Sequence, residues 1–297
     1  MNDFWSSQVQ GLNTLDLSRE LRFRDDRKEA FLQSMGLMSG MSVVDVGCGP
    51  GTLTRKLAKW LGKDSKIIGM DRDSIFIDYA KKEAEKQGYT NIEYINGDAL
   101  QIPLEANSVD ACTSHTVIEH VPNFEFLLEQ KRVCRSGGVV SVMSARPDKS
   151  IASYSTSIPP ASDREQKLWE PIEQTWSMKD KKRGIGSYTM TPIQFPRLFE
   201  ELGFVDIEID SIALPVAIDN HSTSFEQQLL MVEFGRIQAI EGLYMGLNQL
   251  EQAYEHAAEL EALINQRFER RKEMIINGEK VWDYQIHMLL VVRGRKP

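Results

Sequence analysis

The chain has 297 residues, of which 41% are apolar and 26% are charged, and its mean hydropathy is −0.35. This composition is that of a globular protein, and the length suits one large domain or one domain with an appendage. The formal net charge of −8 argues against nucleic acid as the main partner, because proteins that bind phosphate backbones usually carry a basic surface. Cys48, Cys112 and Cys134 form no CxxC pair, which excludes a disulfide framework and a cysteine-rich zinc site.

The start of the chain and its apolar runs predict the compartment. The first residues lack a basic segment followed by an apolar one, so they predict no signal peptide. No apolar run approaches the ~20 residues of a membrane span. The sequence therefore predicts a soluble, cytoplasmic protein with no membrane partner.

Strand and helix signals alternate along residues 41–144. The predicted strands cover 41–47, 66–71, 92–98, 109–115 and 137–144, and the predicted helices cover 52–62, 74–88 and 123–134. Short apolar strands separated by helices are typical of βαβ units, in which a parallel sheet is covered on both faces. Right-handed crossovers then predict an α/β fold with a doubly wound, Rossmann-like sheet.

The regular alternation stops after Ser144. Pro, Ser and Lys clusters surround a short helical signal at 162–178, and a further helix is predicted from Thr191 to Gly203. A sixth strand is predicted at 205–214 and a seventh at 283–294, which gives a seven-stranded sheet. Between these two strands, apolar residues recur at steps of three and four over 222–274, which predicts a helical cap inserted into the fold.

These signals divide the chain into an arm, a core and two insertions. The amphipathic segment Leu15–Leu32 predicts a helix that lies over the cleft at the strand ends. Because the carboxyl ends of parallel strands face the ligand cleft, both insertions are predicted to cover that edge and to determine the substrate. The predicted units are an N-terminal helical arm (1–40), a ligand-binding core (41–145), an insertion or lid (146–190), a core helix with strand six (191–214), a helical cap (215–281) and strand seven with the C-terminus (282–297).

A glycine-rich loop follows the first predicted strand, with the sequence DVGCGPG from Asp45 to Gly51. Glycines permit positive φ and let a ligand approach the backbone, and the N–H groups at the start of the next helix favour polar or anionic groups. A strand-to-helix turn at this edge is where open α/β sheets bind ligands. The loop therefore predicts a nucleotide-like ligand.

Two acidic residues distinguish the ligand classes. The dinucleotide fingerprint is Gly-x-Gly-x-x-Gly, whereas this loop has the shorter spacing Gly-x-Gly-x-Gly. Asp71 ends the second strand, where a carboxylate can accept hydrogen bonds from ribose hydroxyls, and this position fits NAD equally well. Asp98 follows the third strand and suits an exocyclic amine such as adenine N6, which favours an adenosine ligand other than NAD.

At this point four motifs together resemble a known family. DVGCGPG, GMDRD, NGDA and VIEHV follow four successive strands, and this set is similar to that of the class I S-adenosylmethionine-dependent methyltransferases. The nearest type is the small-molecule enzyme of ubiquinone and menaquinone biosynthesis. In the family, strand seven is antiparallel and joins strand six by a short hairpin, whereas residues 215–281 intervene here.

The resemblance implies two groups of contacts with S-adenosylmethionine, or with its product S-adenosylhomocysteine. The residues implied at the methionine end are Asp45, Gly47, Gly49, Gly51, His115 and Thr116. The glycines would lie under the methionine part, Asp45 would reach its amino group, and the last two would lie near the sulfonium.

The second group of implied contacts is with the adenosine end. Asp71 would bind the ribose diol, and Arg72 would lie beside the adenine. Asp98 would accept from adenine N6, while the backbone N–H of Ala99 would meet the ring.

His115 has two interpretations. A histidine at the mouth of the cleft can serve as a general base, since imidazole accepts protons near neutral pH. The alternative is a residue that only lines the cofactor site. His120 is interpreted as structural, and the remaining histidines lack metal-ligand spacing, so no metal is expected.

Three features outside the motifs keep two interpretations each. The basic run at 179–184 predicts a solvated loop, or else recognition of an anionic substrate. The helical stripe of 222–274 predicts a helix pair docked on the domain, or else a dimer face. Five aromatic residues outside the sheet pattern predict either a pocket wall or ordinary packing; they are Phe4, Trp5, Tyr154, Trp169 and Trp176.

The expected function is methyl transfer from S-adenosylmethionine to a small-molecule acceptor by a monomer or homodimer. Because the sulfonium already activates the methyl group, such a protein needs mainly to align the reactants and exclude water. The alternatives are an RNA or protein methyltransferase, a NAD-dependent oxidoreductase and a non-catalytic cofactor-binding module.

Overall fold

The computed structural model describes residues 4–153, 159–183, 185–250 and 253–297. Its strands are β1 (Ser42–Val46), β2 (Lys66–Asp71), β3 (Ile92–Asn96), β4 (Val109–His115), β5 (Cys134–Ala145), β6 (Ile151–Ala152), β7 (Val205–Ala217) and β8 (Tyr284–Arg295). Its helices are α1 (Phe4–Gln8), α2 (Leu12–Arg22), α3 (Lys28–Met35), α4 (Thr52–Leu61), α5 (Ser74–Lys86), α6 (Asn123–Val133), α7 (Asp163–Arg183), α8 (Gln194–Glu201), α9 (Phe225–Leu247) and α10 (Ala257–Ile276).

The strands form one mixed sheet in the order β3-β2-β1-β4-β5-β8-β6, with β7 also paired to β8. The pairs among β1 to β5 are parallel, and β8 is antiparallel to β5, β6 and β7. The doubly wound α/β fold is thus confirmed, with the antiparallel last strand that the family resemblance implies.

The sheet departs from the prediction in one detail, because an eighth strand lies in a segment expected outside it. Strand β8 pairs with β5 only over Leu289–Arg295. The residues of β8 before Leu289 therefore have no partner in β5. Ile151 and Ala152 take up that edge opposite Ile286 and Gln285. The segment 146–190 is therefore anchored to the sheet near its start.

The two faces of the sheet carry separate apolar cores. Alternate residues of β1 point to opposite faces, with Val44 and Val46 in one cluster and Val43 in the other. The first cluster includes Phe126 of α6 and Phe199 of α8, and the second is covered by α3 and α4. This packing fixes the carboxyl ends of β1 to β5 along one edge.

The N-terminal arm is not the single helix predicted over Leu15–Leu32. Helix α2 ends at Arg22, and a short 3₁₀ turn at Asp25–Arg27 leads into α3. The break lets Phe23 and Phe31 meet in the core with ring centroids 5.0 Å apart, both fully buried. Asp25 in the turn accepts hydrogen bonds from Lys59 and Trp60 of α4. These tertiary contacts offset the loss of helical hydrogen bonds at the break.

The two insertions form one helical layer. Leu168 and Ile172 of α7 pack with Leu243 of α9 and with Leu260 and Ile264 of α10. Trp169 packs against the same cluster, which favours ordinary packing for this aromatic residue. Two ion pairs, Arg164–Glu259 at 2.6 Å and Arg267–Glu165 at 3.1 Å, also join α7 to α10. In the part of the chain that is described, no helix is long and apolar enough to cross a membrane.

Candidate functional site

The glycine loop between β1 and α4 is fixed by backbone contacts to β2. The N–H groups of Gly47 and Cys48 both donate to the carbonyl oxygen of Met70, at 2.7 and 2.9 Å. Gly47 has φ +74°, and a Cβ there would lie 2.4 Å from Cγ2 of Val117, so the position requires glycine. The predicted close approach of backbone and cleft is therefore present at Gly47.

A cleft of about 830 Å³, counting the part open to solvent, lies over the carboxyl ends of β1 to β4. It brings together most of the sequence-predicted residues. Its lining includes Gly47, Gly49, Asp71, Arg72, Asp98, Ala99, His115 and Thr116, together with Trp5, Leu15, Arg19, Phe76, Val117 and His120. Asp45 lines a smaller pocket that adjoins the cleft and shares Gly47, Gly49 and His115 with it.

Gly51 lies apart from both cavities. A Cβ on Gly51 would be 2.5 Å from the hydroxyl of Tyr94 and 2.8 Å from Cβ of Ala80. With φ +78°, this glycine lets the start of α4 pack against α5 and β3. The geometry therefore supports a packing role for Gly51 in place of the contact with the methionine part that the resemblance implies.

Asp45 is a buried carboxyl beneath the loop. It is 1% exposed and accepts a hydrogen bond of 2.7 Å from Oγ1 of Thr54. Burial, reinforced by the nearby charge of Asp71, raises the pKa of Asp45 to about 7 against the opposing hydrogen bond from Thr54. This carboxyl is therefore poised to change its charge when a cation binds beside it.

Asp71 both lines the cleft and holds the loop. Its Oδ2 accepts from the N–H of Gly49 and its Oδ1 from the N–H of Asp73, each at 2.9 Å. Burial raises the pKa of Asp71 against these two backbone hydrogen bonds. Each carboxylate oxygen has a second lone pair for a ligand hydroxyl. Further along, Asp98 is exposed and uses Oδ1 to accept from the N–H of Leu100 at 2.9 Å.

His115 ends β4 in a cationic, buried setting. Its Nε2 lies 2.8 Å from Nη1 of Arg22, and its ring meets Phe23 with centroids 5.0 Å apart. Burial and the charges of Arg19 and Arg22 hold the pKa of His115 well below its usual range. Since a guanidinium can only donate, Nε2 accepts, and its lone pair is already used. The geometry thus favours a neutral lining residue over the general base considered from the sequence.

Thr116 follows with a backbone conformation that is rare for its type. Its φ is +55°, a left-handed value that is unfavourable for a β-branched residue. Such a conformation costs on the order of 1–3 kcal/mol and persists where the surroundings impose it. Here the Thr116 N–H donates to the carbonyl oxygen of Met143 at 2.8 Å, and Arg19 donates to Oγ1 at 3.0 Å.

Arg19 and Arg22 are the site residues that the sequence reasoning missed. Arg19 lines the cleft, Arg22 contacts the lining residue His115, and neither arginine forms an ion pair with another residue in the described ranges. Burial lowers the pKa of Arg22 to about 10, and burial together with the charge of Arg22 lowers the pKa of Arg19 well below its usual value. The available signal was the spacing of Leu15, Arg19 and Arg22, which places them on one face of a helix.

The N-terminal arm covers one part of the cleft. Trp5 lies edge-on to His120 with ring centroids 4.7 Å apart, and both line the cleft. Ser6 donates from its N–H and its hydroxyl to Asp73, at 2.9 and 3.1 Å. His120 also accepts from the N–H of Gly186 at 3.0 Å, which links the cleft to the 146–190 segment. His120 is therefore structural, as expected, and in addition part of the wall.

Some predicted features lie outside the described side chains. They are Phe4, Tyr154, Trp176 and the basic run at 179–184. Among the side chains that are described, no group of three or more His, Cys, Asp or Glu residues has the arrangement of a metal site.

Comparison with known proteins decides the family. A family model described as a methyltransferase domain matches residues 37–193, which is more than half of the chain. The chain belongs to the class I S-adenosylmethionine-dependent methyltransferases. Its cofactor is S-adenosylmethionine, and the cleft fits that molecule in its donor set: carboxylates for hydroxyls and amines, guanidinium groups for a carboxylate, and a glycine cradle that a Cβ would fill.

Relatives of this methyltransferase include two named demethylmenaquinone methyltransferases. The one from Lactococcus lactis is 30% identical over 118 residues, which are 39% of this chain and 47% of that protein. The one from Staphylococcus aureus is 26% identical over 203 residues, or 64% of this chain and 78% of that protein. The first match thus spans less than half of the relative's length.

A solved structure shares the fold of the methyltransferase. It is a phosphoethanolamine N-methyltransferase from Haemonchus contortus, in complex with phosphomonomethylethanolamine and S-adenosylhomocysteine. The TM-score is 0.58 at 16% identity, and the match covers 100% of this chain and 60% of that one. The likeness supports the architecture of the sheet and its covering helices.

Proposed function

We propose that this methyltransferase modifies a small molecule. The observation that carries the proposal is the cover of the cleft: Trp5, Leu15 and Arg19 of the N-terminal arm line it, and Trp5 packs against His120 of the opposite chain segment after β4. The cleft combines apolar side chains with a few polar and charged groups, which is typical of small-ligand sites. The net charge of −8 and the names of the two relatives support the same conclusion.

The methionine end of the cofactor is proposed to lie against Gly47 and Gly49. Its carboxylate would be bound by Arg19, which lines both cavities and forms no ion pair with the rest of the described chain. Its ammonium would face Asp45, whose charged form a neighbouring cation favours. Thr116 lies beside Arg19, which donates a hydrogen bond to its Oγ1 at 3.0 Å.

The adenosine end is proposed to lie along the opposite part of the cleft. Asp71 would accept from the ribose hydroxyls while it continues to hold the glycine loop through Gly49. Asp98, Arg72 and the Ala99 N–H would surround the adenine, and all three residues line the cleft.

When bound, S-adenosylmethionine supplies a methyl group that its sulfonium activates for in-line displacement by the acceptor. The chain then contributes alignment and exclusion of water. Leu15, Val117 and Trp5 form an apolar part of the wall, and Thr116 is held in its strained conformation beside His115. His115 keeps its Nε2 towards Arg22, so it orients neighbours and does not take a proton.

The test has two stages. Calorimetric titration with S-adenosylhomocysteine and with NAD measures the ligand class, and we expect binding of the former only. Transfer of labelled methyl from S-adenosylmethionine is then measured on demethylated quinols, small amines, bulk tRNA and a protein mixture. Label in a small molecule supports the proposal; label only in tRNA or protein would assign the macromolecular alternative, and no label with tight cofactor binding would assign a non-catalytic module.

A further inference from the structure

Helix α2 is the element that joins the cofactor cleft to the inserted cap. Three of its faces have different partners. Leu15 and Arg19 line the cleft, while Asp16 pairs with Arg55 of α4 at 2.8 Å and accepts from Tyr79 of α5 at 2.7 Å. The third face lies on α9, which is part of the 215–281 segment.

The contact with α9 is concentrated at the start of α2. One carboxylate, that of Glu241, accepts from the N–H of Asn13 at 3.2 Å, from its Nδ2 at 2.9 Å and from the N–H of Thr14 at 2.9 Å. The first N–H groups of a helix have no partner within the helix, and a carboxylate there also favours the helix dipole. The N-cap residue itself, Gly11, provides no side-chain cap. Glu241 therefore supplies from another element the cap that α2 lacks.

Two further observations support this contact. The backbone of Gly11, with φ −61° and ψ 150°, would suit any residue. A Cβ at this position, however, would lie 2.0 Å from Oε2 of Glu241. Glycine is therefore needed here because it leaves room for the Glu241 carboxylate. At the other end of α2, Leu21 packs with Met231 and Val232 of α9. The two helices thus run antiparallel and are attached at both ends.

We infer that Glu241 is a positioning residue for the cofactor site. By capping α2 it fixes the helix from which Leu15 touches the glycine loop and Arg19 reaches Thr116; a Cβ on Gly49 would be 3.2 Å from Leu15. The inserted cap thereby controls how well the cofactor is held. This inference rests on the proposed function for the identity of the ligand.

The experiment compares four full-length variants in calorimetric titrations with S-adenosylhomocysteine. Glu241→Ala removes the cap, and Gly11→Ala displaces the Glu241 carboxylate without straining its own backbone. We expect each to weaken binding by roughly threefold to thirtyfold, the range of a lost N-terminal cap. The Gly11→Ala, Glu241→Ala double variant should be no weaker than Glu241→Ala, because both changes remove one contact. Glu233→Gln is the matched control, since this carboxylate on the same helix pairs with Arg236 and Lys272.

Amide exchange of Asn13 and Thr14 gives a readout that does not depend on the ligand. Exchange should accelerate in Glu241→Ala and in Gly11→Ala and stay at the wild-type rate in Glu233→Gln. Glu241→Gln, which keeps one neutral acceptor, should show a rate between those of the wild type and Glu241→Ala. If Glu241→Ala lowers the melting temperature but binds S-adenosylhomocysteine with wild-type affinity, Glu241 is only a stabilising contact, and the inference is overturned. Additive losses in the double variant would overturn it as well. A wild-type protein that binds no S-adenosylhomocysteine would instead contradict the proposed function.

Discussion

Replacement of Arg19 by glutamine should remove affinity for one part of the cofactor only. In the described chain the Arg19 guanidinium donates to Thr116 and forms no ion pair, and its pKa is lowered by burial and by Arg22. A ligand carboxylate would therefore gain charge-assisted hydrogen bonds, each worth about 1.5–3 kcal/mol. One such bond corresponds to roughly tenfold to 150-fold in the dissociation constant.

The assay uses two ligands that differ in the amino-acid part. S-adenosylhomocysteine carries the carboxylate, whereas 5′-methylthioadenosine ends at the sulfur. Arg19→Gln should weaken the first by the amount above and leave the second within about twofold, which is below 0.5 kcal/mol. Arg72→Gln is the control, because Arg72 lines the cleft and is proposed to lie beside the adenine, which both ligands carry; it should affect both ligands alike. Equal losses for both ligands with Arg19→Gln would refute the assignment and make Arg19 a structural residue.

Three further outcomes are expected. Asp71→Ala should weaken the binding of S-adenosylhomocysteine by about 1–3 kcal/mol. Asp98→Ala should weaken it less, because only Asp71 also accepts the hydrogen bond that holds Gly49. Unchanged affinities by calorimetry in folded variants would contradict both assignments. The pKa of Asp45 is about 7 before binding, and a bound ammonium lowers it. The affinity for S-adenosylhomocysteine should therefore rise with pH up to about 7 and then level, and Asp45→Asn should remove this dependence. A wild-type affinity that does not change with pH would contradict the assignment. His115→Ala should lower kcat by less than the roughly 10²-fold expected for loss of a general base. The wild-type pH profile of kcat, measured with saturating S-adenosylmethionine so that Asp45 is already charged, should show no ionisation near pH 6.5; a larger loss would restore the general base.

The parts of the fold that were predictable are those that local periodicity determines. The strands at 66–71 and 109–115 coincide with β2 and β4, since an apolar run between helical segments needs no tertiary information. Strand β6 was not predictable, because its two residues pair only where β8 extends past β5. The break after Arg22 likewise depends on the burial of Phe23 and Phe31, which a helical pattern cannot reveal.

The candidate site was predictable where backbone geometry decides, and less so where side chains from distant elements meet. The strand-end positions of Asp71 and Asp98 follow from the parallel sheet, and both line the cleft. Arg19 and Arg22 stand on a separate helix whose orientation depends on Asp16 and Glu241. Their charges also change the interpretation of His115, since a histidine beside two cations is a poor proton acceptor.

The electrostatics of the cleft match a ligand that carries both charges. Arg19 and Asp45 influence each other but form no ion pair in the described chain, and burial shifts the pKa of each towards its neutral form. Burial therefore disfavours the charged form of each residue. A group with a carboxylate beside Arg19 and an ammonium beside Asp45 offsets both costs at once, whereas a ligand with only one of the charges offsets only one of them. We therefore expect Arg19 and Asp45 to discriminate between S-adenosylmethionine, with its charged amino-acid end, and a simple nucleoside. The carboxylate of Glu241 caps the helix that carries Arg19.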